Sequence, residues 1–188
     1  AQFISAILDP SPARNPFLAD FATLNRQVAC CGMYGSLAQS LLKIFSPGVP
    51  DLYQGNELWD FSLVDPDNRR PVDFACRIHL LNGLRKDAVK KRPLLHLAQH
   101  LANTKENGQI KLYVIWRALV YRRANAGLFY HGRYLPAKAV GKSNSHICAF
   151  VWQKGSDQLV VVAPRLMARL TQKAATAPIG EHVWADSH

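Results

Sequence analysis

The sequence predicts a mixed α and β fold, with helices leading and paired strands following. Three observations carry that expectation. Apolar residues recur at steps of three and four over residues 17–44. They alternate with period two from Tyr134 onward, and a short apolar run at 49–53 opens directly into a long polar loop. At 188 residues and 48% hydrophobic composition the chain can bury a real core, in one large or two small domains.

Pro10, Pro12 and Pro16 break up the start of the chain. Phe17, Phe21, Leu24, Val28 and Cys31 then form the apolar stripe of an amphipathic helix. Gly32 and Gly35 interrupt the stripe, and Leu37, Leu41 and Ile44 resume it. One long or kinked helix is expected, ending near Phe45 where Pro47 and Gly48 stop it. Residues 49–53 are expected to form a brief strand. A strand this short, arriving from a helix and opening into a polar loop, suits an α/β barrel, whose strand ends carry the active-site rim.

Asp65-Pro66-Asp67-Asn68 is turn chemistry: proline presets its φ, and Asp and Asn bond their own backbone. Asp73 is placed to cap a helix carrying Ile78, Leu81 and Leu84 on one face. Residues 87–108 read as polar and less regular, with Pro93 inside and Asn107-Gly108 at the end. A further helix turns Leu112, Ile115, Trp116 and Leu119 inward and stops before Asn125 and Gly127. From there the period changes, so a domain boundary is expected between about residues 126 and 134. Ile147, Ala149 and Val151 fall on one side of a strand, and Cys148, Phe150 and Trp152 on the other. Gly155-Ser156-Asp157 reads as a hairpin turn leading to a partner strand at 159–163. So few strands need cover, either from the helices or from further strands of a sandwich.

Charge is distributed unevenly. The formal net charge of +10 lies outside residues 1–73, which carry eight acidic and five basic residues. Arg85-Lys86, Lys90-Lys91-Arg92, Arg117, Arg122 and Arg123 would give a nucleic-acid binder its footprint. No nucleic-acid motif accompanies them, and a solvated basic face is the preferred reading. No apolar run approaches the ~20 residues of a membrane span, and no secretory leader is recognisable. The chain opens at Ala1 in mid-pattern, as a piece of a longer protein would. Cys30, Cys31, Cys76 and Cys148 show no paired spacing and read as buried, reduced thiols of a cytoplasmic protein.

Residues 46–73, SPGVPDLYQGNELWDFSLVDPDNRRPVD, hold the densest chemistry. Asp51, Glu57, Asp60, Asp65, Asp67 and Asp73 are six of the thirteen acidic residues, set among Tyr53, Gln54, Trp59, Asn68, Arg69 and Arg70. Carboxylates, amides and guanidinium groups satisfy sugar hydroxyls, and aromatic faces cover the apolar face of a pyranose. A turn-rich connection whose polar groups cap one another uses the same residues. Both readings stand on composition.

The wider string resembles a known family. SPGVPDLYQGNELWDFSLVDPDNRRPVDF is similar to the signature near the end of the catalytic barrel of malto-oligosyltrehalose synthases, members of the α-amylase superfamily. Pro47, Gly48, Pro50, Tyr53, Gly55 and Glu57 match a pattern widespread in the superfamily at the eighth barrel strand, while residues 58–74 match the trehalose-forming branch more specifically. ACCGMYGSLAQSLLKIF before the motif, and YRRANAGLFYHGRYLP and VVVAPRL after it, extend the resemblance over nearly the whole chain.

The resemblance implies a mixed α and β architecture in three parts. Residues 1–86 would be the end of an amylase-type (β/α)8 barrel, contributing its last helix, strand and loop. Residues 87–130 would be a helical connection, and 131–188 an incomplete antiparallel β-sandwich. The implied reaction converts the reducing-end α-1,4 bond of a maltodextrin into an α,α-1,1 bond by retaining intramolecular transglucosylation, without a cofactor. The partners implied are malto-oligosaccharide and the remainder of the parent chain, with no nucleic acid and no membrane. Alternatives are a related α-glucan hydrolase or 4-α-glucanotransferase, or a non-catalytic glucan-binding fragment. Retention calls for two carboxyl groups about 5–5.5 Å apart, and in the family these come from earlier barrel strands. No catalytic residue is therefore assigned here, and this chain alone is expected to be inactive. Carried over, Asp51, Tyr53, Gln54 and Glu57 would face the pocket from the strand end. Asp65, Asn68, Arg69 and Arg70 would form the loop beside the reducing-end subsites. Arg69 and Arg70 suit bidentate pairing with carboxylates, either in substrate recognition or within the loop itself.

Other groupings carry less. His96 and His100 sit one helical turn apart without a third ligand and read as a surface pair rather than a metal site. Tyr113 and Trp116 read as core rather than a sugar platform. Cys30 and Cys31 point in different directions on a helix and suggest packing.

Overall fold

The computed structural model describes residues 2–9, 15–89, 94–171 and 177–187. Among the described residues eight α-helices and three strands run in the order α1 (Gln2–Ile7), α2 (Pro16–Phe45), α3 (Phe74–Ala88), α4 (Leu94–Asn103), α5 (Gln109–Ala124), α6 (Ala126–His131), β1 (Arg133–Pro136), β2 (Ile147–Lys154), β3 (Asp157–Pro164), α7 (Met167–Thr171) and α8 (Glu181–Trp184). The strands form one antiparallel sheet in the order β1-β2-β3.

Helix α2 starts where its sequence says it should. Pro16 opens the first turn, and Asn15 caps it by accepting from the Leu18 N–H at 3.2 Å. The Asn15 amide also donates to the carbonyls of Ala6, Ile7 and Asp9, tying α1 to the same point. The helix runs unbroken through Gly32 and Gly35 and ends at Phe45, as its periodicity and Pro47-Gly48 predict. Its expected stripe divides in two. From Cys30 onward Tyr34, Ala38, Ile44 and Phe45 are buried, whereas Phe17, Phe21, Leu24 and Val28 stay about half exposed. Among the described residues α2 packs chiefly against α5, β3 and α7, and the buried clusters it joins begin at Cys30. Periodicity set the face, but burial needed a neighbour. The helix also reaches the length and mean hydropathy (1.2) that a membrane span needs, contrary to the reading of its individual apolar runs. Its second half is core.

One core joins helices to sheet. Ile44 and Phe45 meet Ile115 and Ala118 of α5, Leu128 and Phe129 of α6, and Phe150, Trp152 and Val161 of the sheet. The Trp152 indole donates to the Phe45 carbonyl at 2.7 Å, so the last turn of α2 is fastened directly to β2. Alternation along β2 and β3 explains the packing: Phe150 lies opposite Val161 and Trp152 opposite Leu159 on the face turned to the helices. The other face carries Ile147, Ala149, Val160 and Val162 and lines a groove of about 360 Å³, with Trp184 at its edge. The paired strands are therefore covered by helices on one side, as a three-stranded sheet requires.

A smaller cluster, Leu84, Leu101 and Leu112, joins α3, α4 and α5, with Tyr113 and Trp116 packed against it as expected. Several expectations are corrected here. Residues 49–53 form no strand, because a strand is completed by neighbours and none lies alongside them among the described residues. Ile78 is exposed, and Leu80 takes the inward place beside Leu81 and Leu84. Part of the supposedly irregular stretch 87–108 is helix α4, strongly amphipathic once Leu97 and Leu101 find their cluster. Of the thiols only Cys30 is buried; Cys31 and Cys148 are half-buried and Cys76 is exposed. Pro10, Pro12, Lys90-Lys91-Arg92 and Pro93 lie outside the described residues.

Candidate functional site

The polar motif joins α2 to α3 and is held at three points. The first is its entry. Arg122 of α5 donates to the Ser46 carbonyl at 3.1 Å and also to the carbonyls of Ile44 and Gly48. Ile44 and the cap Ser46 are among the acceptors that a helix C-terminus leaves without intrahelical donors, and Gly48 lies just beyond them. The guanidinium lies 4.7 Å from the centroid of the Phe129 ring. Arg122 is thus a structural clamp rather than part of a solvated basic face.

The second point is Gly55. Its φ of +93° is a conformation that side chains resist, and an added Cβ would lie 3.4 Å from Val72 and 3.7 Å from Arg77. Glu57 accepts from the Gly55 N–H and from Arg77 Nε, both at 3.0 Å. Arg77 also donates to the carbonyls of Gly55 at 2.9 Å and Asp73 at 3.1 Å. Both partners are largely covered, so solvent weakens the pair less than it would a surface bridge. Arg77 stands on the first turn of α3, whose N-cap Asp73 accepts from Cys76 N at 2.8 Å as predicted.

The third point is Trp59, whose indole donates to the Lys105 carbonyl at 2.7 Å. Gly108, at φ +78°, lets the backbone before α5 press against it: a Cβ there would sit 3.2 Å from Trp59 N and 3.3 Å from Leu58. Lys111, buried on α5, places its ammonium 5.6 Å from the Trp59 ring centroid. Burial pushes the Lys111 pKa down; the charges of Asp60 and Glu57 oppose that shift and Lys43 adds to it. Hydrogen bonds from Ser62, with smaller help from Lys111 and Arg77, hold the Asp60 carboxyl below the usual range.

Beyond Asp60 the loop is exposed and self-paired. Asp65 accepts from Arg69, with Nη2 at 2.7 Å and Nε also bonded. Asp67 accepts from Arg70 and, at 2.7 Å, from the Leu63 N–H. A single 3-10 turn spans Asp67–Arg69, after a cis Asp65–Pro66 bond. Asn68 Oδ1 is covered without a hydrogen-bond partner among the described residues. The structure thus brings together Asp65 with Arg69, and Asp67 with Arg70. It places Glu57 in the Arg77 brace and leaves Asp51, Tyr53 and Gln54 exposed at the head of the loop. Arg77, Lys111 and Gly108 escaped sequence reasoning because their partners lie about 20–50 residues away and no local spacing encodes them. His96 and His100 are both exposed on α4.

No family model matches the chain. Over 155 residues, or 81% of its length, the chain is 39% identical to a Mycobacterium tuberculosis protein named "Putative maltooligosyl trehalose synthase", in strain CDC 1551 and equally in strain H37Rv. This chain is similar to a segment of the maltooligosyltrehalose synthases. It spans 17% of the length of those relatives. Solved structures agree. A point mutant of maltooligosyltrehalose synthase from Arthrobacter ramosus superimposes with TM-score 0.70 and 33% identity, covering 98% of this chain and 20% of that one. A second maltooligosyl trehalose synthase crystal structure gives TM-score 0.63 and 30% identity over 79% of this chain and 18% of its own. The mixed helices and three-stranded antiparallel sheet match the C-terminal part of these synthases.

Proposed function

We propose that this chain is the C-terminal part of an enzyme of trehalose biosynthesis. The enzyme converts the reducing-end α-1,4 bond of maltodextrins into an α,α-1,1 bond by retaining intramolecular transglucosylation. The observation that carries the reading is 39% identity to a named synthase over 81% of the chain, motif included. In this reading residues 1–86 close a (β/α)8 barrel, 87–130 connect, and 131–188 begin a sandwich. The apolar outer face of the sheet, with Val160 and Val162 more than half exposed, supports further strands there.

The motif serves as one rim of the sugar pocket. Asp51, Tyr53 and Gln54 stand open to ligand at the head of the loop, and Glu57 keeps its backbone in place through Arg77. Asp65, Asn68, Arg69 and Arg70 flank the reducing-end subsites, with the Asp–Arg pairs presetting the guanidinium groups. The nucleophile and the acid/base lie elsewhere in the parent enzyme, which needs no cofactor and works in the cytoplasm.

Full-length enzyme incubated with maltopentaose yields a non-reducing, trehalosyl-terminated product, and shortening of the glucan without that product would overturn the assignment. The isolated chain forms no product, since general acid catalysis worth ~10²–10⁴ in rate is lost together with the covalent route. Product from contaminant-free chain would contradict this. Arg69→Ala and Asp65→Ala in the full-length enzyme each lower activity; wild-type rates in both would remove the loop from the site.

A further inference from the structure

Lys111 belongs to neither the motif nor any pattern in the sequence, yet it is among the few buried charged side chains, only 8% exposed between the core positions of α5. A buried ammonium costs stability unless something compensates, and an apolar side chain of similar length would fill the same space without that cost. The surroundings of Lys111 supply one close partner and a local field of opposite charge. Its ammonium faces the Trp59 ring at 5.6 Å, and the carboxylates of Asp60 and Glu57 supply the opposing charge. Trp59 is pinned independently through its indole N–H to the Lys105 carbonyl. One hydrogen bond fixes a point on the ring, whereas a cation against its face fixes the plane. An indole with a fixed plane is what stacking on a pyranose needs.

We infer that Lys111 is a positioning residue, holding the Trp59 ring as a preformed glucan-contacting edge of the site beside Asp60; the inference rests on the proposed function. The polarised ring and the Asp60 carboxylate would meet the C–H face and a hydroxyl of one glucose unit, with Lys111 itself beneath them. Its charge is kept at a cost to stability because it orients the groups that bind.

The test uses the full-length enzyme with Lys111→Met and Lys111→Arg. Three readouts are taken: thermal midpoint, KM and kcat for maltopentaose, and Trp59 emission as the difference from matching Trp59→Phe proteins. Lys111→Met is expected to unfold at the same or a higher temperature, while KM rises about five- to tenfold with kcat little changed, as loss of one desolvated cation–π contact gives. Trp59 emission shifts in the same variant, and Lys111→Arg brings both KM and emission back toward wild type. Wild-type KM and emission in Lys111→Met would overturn the inference. Should the longer Arg side chain lower the midpoint, Lys111→Met alone decides. A wild-type enzyme making no trehalosyl product would remove the proposed function instead. Trp59 emission then still judges Lys111: unchanged emission in Lys111→Met rejects it as the residue that orients the ring.

Discussion

Residues 55–60 and residues 61–70 share a composition of acids, aromatics and turn formers, but they are held in different ways. The first stretch is braced from outside, by Arg77 on α3, by Lys105 and Gly108 just before α5, and by Lys111 in the first turn of α5. The second is braced from inside, by Asp65–Arg69 and Asp67–Arg70 pairs three and four residues apart, open to solvent. The contrast separates two jobs. Groups committed to distant partners fix where the loop sits, and groups paired locally keep the freedom to change partners. Exposed pairs are worth little to stability, so an Arg can leave one at small cost.

Stability measurements on the chain can break this comparison or sharpen it. Arg77→Met should have the largest effect, about 3 kcal/mol by urea denaturation, because it takes the cation from the covered Glu57 carboxylate and the donor from the Gly55 carbonyl. A change below about 1 kcal/mol would mean the brace is ornamental. Gly108→Ala should cost about 2 kcal/mol, combining left-handed strain with a Cβ 3.2 Å from the Trp59 nitrogen. Hydrogen exchange should show the loosening confined to residues 58–60 and the start of α5. Trp59→Phe keeps an aromatic ring, though a smaller one, and removes the bond to the Lys105 carbonyl; about 1 kcal/mol is expected. Smallest of all, Arg69→Ala should change the urea midpoint by less than the equivalent of about 0.5 kcal/mol. A large loss there would show that the outer loop is as tightly held as the inner one.

Much of the fold was legible because its signals are local. The span of α2, the Asp73 cap, the inward face of α5 and the hairpin at Gly155 each follow from spacing or from one residue's chemistry. The exposed half of α2 and the missing strand at 49–53 were not, since a stripe or a short run states what could be buried or paired and not whether a neighbour is there. The site divides along the same line. The Asp–Arg pairing of the outer loop was among the readings its sequence offered, while Arg77, Arg122 and Lys111 had no signature in spacing.

By itself, then, the sequence determined the span of α2, the inward face of α5 and the paired strands about Gly155, where the Asp73 cap would fall, and which family signature the motif carries. The tertiary structure decided which apolar faces were covered, and it made α5 the strut of the site, with Lys111 near one end and Arg122 near the other. The physical reason is range. Capping, turn geometry and i,i+4 pairing act over a few bonds and are written into neighbouring residues, whereas desolvation and long-range donation depend on which distant surface the chain folds back upon.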